Sequence, residues 1–173
     1  HSIARRQRQM CIRDSSSVKG FENWLSNLDV VYVGGGNTKF MLKYWKENNL
    51  IGLFKEVYNS GIILSGVSAG AACWFDCFLT DSDGPGFKSM NGIGLLTGSF
   101  TPHYSDSKRA EKYRENIKNK TLPDGIAVDD GVAVLFIDGK PTEVYSSRKG
   151  HNAYFVNQNK QFNLKEYIKI NNE

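Results

Sequence analysis

Twice in its first half the chain runs through a short apolar stretch, stops in glycine and changes to a helical pattern. Val30–Val33 ends in Gly34-Gly35-Gly36-Asn37, and Ile62–Leu64 leads into Gly66-Val67-Ser68-Ala69-Gly70. A buried strand that stops in glycine and feeds a helix is a βα turn. Parallel strands need a crossover between them, usually a helix. Two such units in succession therefore predict an α/β fold with a parallel sheet.

The flanking segments fit that frame. Phe21, Trp24, Leu25 and Leu28 have helical spacing, so Phe21–Asn27 reads as the end of an amphipathic helix. Thr38 is the expected N-cap of a helix to about Asn48, with Phe40, Met41, Tyr44 and Trp45 on its apolar face. A second helix, Leu50–Asn59, stops at Ser60-Gly61. After the second glycine turn an apolar helix is expected over Ala72–Phe78, then a polar surface loop over Thr80–Met90. Ile93–Leu96 is a short apolar run, and Phe100–Ser105 reads as a strand end turning into a loop. Lys108–Lys120 alternates charges at helical spacing. The remainder is β-rich, with strands expected at Gly125–Val128, Val132–Ile137, Glu143–Ser146 and Ala153–Val156, and a hairpin turn at Asp138-Gly139.

Charge decides less than its total of +4 suggests. Arg5, Arg6, Arg8, Arg13 and Lys19 face Asp14 alone in the first twenty residues, so residues 21–173 are neutral overall. A nucleic-acid footprint needs basic residues gathered on a folded face, and none is expected here. Residues 1–20 carry neither a strand nor a helix period, and no apolar core follows the basic part as in a signal peptide. Arg5–Ser15 resembles a translated adapter sequence, so this leader is set aside as non-native or disordered. Residues 21–173 are expected to form a single α/β domain. With 40% hydrophobic residues the chain can bury a core. It has no apolar stretch of the roughly 18 residues a membrane span needs.

Three cysteines, Cys11, Cys73 and Cys77, make no paired framework, which argues against a disulfide-stapled secreted domain. With only His1, His103 and His151 beside them, a zinc site is not expected. Cys73 and Cys77 read as small buried hydrophobes.

Gly66-Val67-Ser68-Ala69-Gly70 matches the G-x-S-x-G pattern in the strand–turn–helix setting that gives it meaning. A sharp turn pushes the Ser68 hydroxyl out above the sheet, and the free N–H groups of the next helix point at the same place. The Ala69 N–H is then an oxyanion donor. A serine hydroxyl needs a base, and His103 in Thr101-Pro102-His103-Tyr104 is the candidate, since His151 lies in a polar turn and His1 in the leader. A carboxylate must orient the imidazole. Asp76, Asp81 and Asp83 lie between serine and histidine; Asp76 falls within the expected helix, and Asp81 is preferred narrowly over Asp83. Gly34–Asn37 lacks both the G-x-G-x-x-G spacing and a P-loop lysine. It fits better as a backbone oxyanion donor, with Asn37 fixing the turn or touching substrate.

GGGNT, GVSAGAACWF, TDSDG, TPHY and GIAVDDGVAVLF, in that order over roughly residues 21–160, resemble the S51 serine peptidases. That family includes aspartyl dipeptidase (peptidase E) and, more distantly, cyanophycinase. The resemblance implies a class I glutamine amidotransferase-like (flavodoxin-like) fold: a mostly parallel sheet, flanking helices and a β-rich C-terminal part, here lacking the usual N-terminal strands. It implies Ser68 as nucleophile, His103 as base, Asp81 or Asp83 as the acid, and Ala69 with Gly35 as oxyanion donors. It further implies cytoplasmic hydrolysis of small peptides with an N-terminal Asp, without metal or organic cofactor. A homodimer is an open option. Acidic substrates call for a cation, for which Arg109 and Arg148 are available. The competing readings are an α/β-hydrolase-type esterase, a non-catalytic amidotransferase-like binding domain and an inactive fragment.

Overall fold

A computed structural model describes residues 18–172. The leader, apart from its last three residues, and Cys11 lie outside that range. The first described helix, α1 (Val18–Ser26), starts inside the expected leader. Strand β1 (Val30–Val33) and helices α2 (Thr38–Glu47) and α3 (Leu50–Asn59) fall where the sequence pattern puts them. The cap of α2 is Asn37 rather than Thr38: its extended backbone lets the side-chain oxygen accept from the Phe40 N–H at 2.9 Å. Strand β2 (Ile63–Gly66) pairs in parallel with β1, closing the first predicted unit.

The next segment departs from expectation. Helix α4 is a single turn, Ala69–Ala72, and the apolar stretch after it is strand β3 (Phe75–Thr80). Short apolar runs do not distinguish helix from strand by periodicity, and here burial on both faces decides. Phe78 and Leu79 are both fully buried but belong to two different core clusters, one on each face of the sheet. Strand β4 (Lys88–Asn91) ends the expected loop and pairs antiparallel with β3.

Strand β5 (Leu96–Thr101), helix α5 (Ser107–Lys118) and strand β6 (Gly125–Val128) follow. Strands β7 (Val132–Ile137) and β8 (Lys140–Ser146) form a hairpin, and Asp138 and Gly139 both take the positive φ its tight turn requires. The described residues end in β9 (Ala153–Val156), β10 (Gln161–Asn163) and α6 (Leu164–Asn172), the last two beyond the expected strands.

Six strands form one sheet in the order β10-β9-β6-β5-β3-β4. Its centre, β6-β5-β3, is parallel, and its outer pairings are antiparallel. The larger core cluster joins α2 and α3 to one face through Trp45, Phe54, Trp74, Phe75 and Phe100. The smaller one seats α5 on the other face through Tyr113 and Ile117 against Leu79, Tyr104 and Val156. The class is α/β, as expected. No described helix is long and apolar enough to cross a membrane.

Candidate active site

Three strand ends supply the site. Ser68 follows β2, His103 follows β5 and Asp130 follows β6, each just past the carboxyl end of its strand. Ligands of open α/β sheets bind at such ends, where loops converge while strands hold them fixed.

The turn at Ser68 is held by sterics. Ser68 sits at φ 54° and ψ −114°, a region L-residues rarely occupy. A β-carbon on Gly66 would lie 2.0 Å from the Gly70 carbonyl oxygen, and one on Gly70 would lie 2.1 Å from that of Val33. Neither contact is possible, so both glycines are required for the turn to close against β1. Ala69, one residue on, opens α4, and the Gly70 and Ala71 N–H groups behind it are taken by the Val67 and Ser68 carbonyls at 2.9 and 3.0 Å. Gly35 approaches from the other unit: a β-carbon there would stand 3.5 Å from Ser68 Cβ.

Ser68 Oγ lies 2.9 Å from His103 Nε2. His103 also holds a positive φ, 54°, which turns its ring back toward the serine. On the far side of the ring, Nδ1 is 2.5 Å from Asp130 Oδ1. With Nδ1–H directed at the carboxylate, the Nε2 lone pair is free to accept the serine hydroxyl. The hydrogen bond from His103, reinforced by a second from Ser105, holds the Asp130 carboxyl below the usual carboxylate range. Ser68 Oγ, the His103 ring and the Asp130 carboxylate thus stand in line.

Asp81 does not take the position expected for it. Its Oδ2 lies 3.0 Å from Arg109 Nη2. Asp83 pairs with Lys39 and Lys88, whose charges pull its carboxyl down, the Lys39 hydrogen bond most. Asp76 accepts the Gly98 N–H at 2.9 Å. All three carboxylates between serine and histidine tie down loops. The acid at the imidazole comes after the histidine instead, in Asp129-Asp130-Gly131. The usable signal was topological: β6 pairs in parallel with the strand that carries His103, so a residue just past β6 lies beside it. Asp129, next door, accepts the Asn152 N–H at 2.9 Å. Asn37, expected to fix the turn or touch substrate, is used by its cap on α2.

A cleft of about 830 Å³ opens at Ser68, His103 and Asp130 and runs between β2 and β7, past Leu64, Val132 and Phe136. A second, polar recess of about 30 Å³ lies on the other side of Ser68, lined by Gly36, Thr38, Ala69, Ser82 and Arg109 among others. The Arg109 side chain is only 8% exposed, while its partner Asp81 is 65% exposed. Arg109 is further fixed by the Leu79 carbonyl at 3.3 Å and by the Phe87 ring, 4.6 Å away. Arg148 lines neither space. Burial pushes the Cys73 thiol far up, and burial with the nearby Asp76 charge raises that of Cys77, so both environments disfavour the thiolate. Among the described residues, no group of His, Cys, Asp or Glu is arranged to hold a metal ion.

The family model for peptidase family S51 matches residues 11–144. An uncharacterized peptidase, YgaJ, of Bacillus subtilis is 44% identical over 135 residues, which is 78% of this chain and 58% of that protein. Peptidase E of Haemophilus influenzae is 29% identical over 140 residues, 78% of this chain and 64% of that protein. The chain therefore spans about three-fifths of the curated relatives it matches. The crystal structure of a peptidase from an acI-B1 Actinobacterium superposes with a TM-score of 0.61 at 16% identity, covering 87% of this chain and 63% of that one. At that identity it speaks for the fold alone.

Proposed function

Because the chain belongs to peptidase family S51, we propose that it is a serine peptidase that cleaves short peptides through an acyl-enzyme on Ser68. The observation that carries this reading is the line Ser68 Oγ, His103, Asp130, with contacts of 2.9 Å and 2.5 Å.

In this mechanism His103 Nε2 takes the hydroxyl proton as Oγ attacks the scissile carbonyl. The positive charge that develops on the ring faces Asp130. The oxygen that becomes negative is assigned to the N–H groups of Ala69 and Gly35, which flank Ser68; donors fixed in place before reaction need no reorganisation. His103 then gives its proton to the leaving amine, and water releases the acyl group by the same steps in reverse. The acid is Asp130 in place of Asp81.

The finer reading is a dipeptidase for substrates with an N-terminal Asp. The recess beside Ser68 supports it. A guanidinium held in a fixed orientation at the nucleophile suits a carboxylate, and Asp81 is the exposed partner that a substrate carboxylate can replace.

The test is hydrolysis of a panel of Asp-X, Leu-X and Ala-X dipeptides and of a p-nitrophenyl ester, together with labelling by a fluorophosphonate probe. The expected result is turnover strongest on Asp-X, with one probe per chain at Ser68, both lost in S68A. Turnover retained in S68A rejects Ser68 as nucleophile. Ester turnover without peptide turnover favours an esterase, and a folded chain with no label favours a non-catalytic binding domain.

A further inference from the structure

Ser105 lies two residues beyond His103, in the turn that carries the chain from β5 into α5. Its Oγ–H donates to Asp130 Oδ2 at 2.9 Å, while the oxygen His103 uses is Oδ1. The same Ser105 oxygen accepts from the Asp130 backbone N–H at 3.4 Å. The hydroxyl thus grips Asp130 at both ends, by its main chain and by the carboxylate oxygen that the imidazole leaves free. A hydroxyl donates and accepts at once, which neither an alanine nor a charged side chain can do.

The surroundings explain why a grip is needed. Asp130 stands past the end of β6 on a turn, with its side chain 40% exposed. A cation also stands nearby. Arg148 packs its aliphatic stem against Gly131, the next residue, and its charge acts on the Asp130 carboxylate. A carboxylate on a loop, half in water and within the field of a guanidinium, has several rotamers to choose from. The backbone above it is already sewn to the histidine loop, since the Tyr104 N–H donates to the Val128 carbonyl at 3.0 Å. Ser105 extends that seam by one side chain, to the group that matters for the imidazole.

We propose that Ser105 is a positioning residue that selects the Asp130 rotamer in which Oδ1 faces His103 Nδ1. The proposal rests on the Ser68–His103–Asp130 reading above. It assigns Ser105 no contact with substrate; its effect passes through Asp130.

The experiment compares wild type, S105A, S105T and D130N in steady-state kinetics and in proton NMR of the imidazole N–H region. Wild type should show a downfield imidazole proton that D130N lacks. In S105A this proton should broaden or move upfield, and kcat should fall about tenfold with KM nearly unchanged, as for a displaced but present acid. S105T keeps the hydroxyl and should recover both the resonance and most of kcat. A resonance unchanged in S105A overturns the proposal, and so does an S105T as impaired as S105A. If the wild type hydrolyses nothing, the peptidase reading fails alone, because the NMR comparison still decides whether Ser105 holds Asp130.

Discussion

Ser68 and His103 both sit at φ 54°, outside the conformations that their side chains favour. Strain at two such positions is held by what surrounds them, and it serves to aim Oγ at Nε2. The acid is aimed differently, by hydrogen bonds to an otherwise ordinary loop residue. These two modes predict different mutational results. D130N should lower kcat by about 10³-fold or more, because an amide does not hold the imidazole in the required tautomer. D81N should leave kcat within about threefold, since Asp81 touches neither His103 nor Ser68 and its loss acts on Arg109, hence on KM; initial rates on one dipeptide at saturation separate the two. The depressed Asp130 carboxyl also sets a pH dependence. A group whose folded pKa lies below its ordinary 3.8 contributes stability above that value and loses it as pH falls through the folded pKa. The urea midpoint of D130N should therefore lie below that of wild type at pH 6, and the gap should narrow as pH falls below 3.8 through the folded pKa. Ser68 and His103 could be read from sequence because a glycine-flanked turn after a strand is local. Asp130 could not, because it lies after the histidine, outside the stretch between Ser68 and His103 that holds Asp76, Asp81 and Asp83. Here the acid follows the histidine, and only strand pairing reveals which acid lies beside it.

Elements that announce themselves through caps and glycines were legible, and those set by neighbours were not. The helix over Leu50–Asn59 and the strands Val30–Val33, Gly125–Val128 and Val132–Ile137 have the bounds that pattern alone suggests. Ala72–Phe78 reads as an apolar helix, yet from Phe75 the chain runs as strand β3, Phe75–Thr80. It is a strand because β4 and β5 take up its backbone groups and both of its faces are buried, facts that lie elsewhere in the chain. The glycine turn between β2 and α4 carries the sharpest prediction at this scale. G70A pushes a methyl to within 2.1 Å of the Val33 carbonyl oxygen, which is backbone and cannot swing aside. About 3 kcal/mol of stability should be lost, lowering the urea midpoint by about 1–2 M, and Ser68 should lose its probe labelling even in the folded fraction. G52A, on α3 where a β-carbon meets nothing within 4 Å, is the control and should be neutral or slightly stabilising.

The site is not the property of any one sheet. Ser68 comes from the β1–β2 pair, while His103 and Asp130 come from the six-stranded sheet. Their alignment therefore depends on what holds the two together. That is the aromatic cluster behind the nucleophile turn, where Phe54 of α3 packs against Trp45 of α2, with ring centroids 4.4 Å apart, and edge-on against Trp74 at 5.7 Å. Trp74 joins α4 to β3, so the cluster links the helices over the first unit to the strand that enters the large sheet. Phe54 is 4% exposed, and its truncation leaves a cavity at that junction. F54A should cost about 3–5 kcal/mol. If the two sheets reach their alignment only as one packed body, tryptophan fluorescence, which reports Trp45 and Trp74 together with Trp24 of α1 packed against the same cluster, and probe labelling of Ser68 should fall together along a urea series, both displaced equally to lower urea in F54A. Labelling that survives beyond the fluorescence transition would mean that serine and histidine stay aligned without the cluster, and that the site is held locally by its turn and its hydrogen bonds.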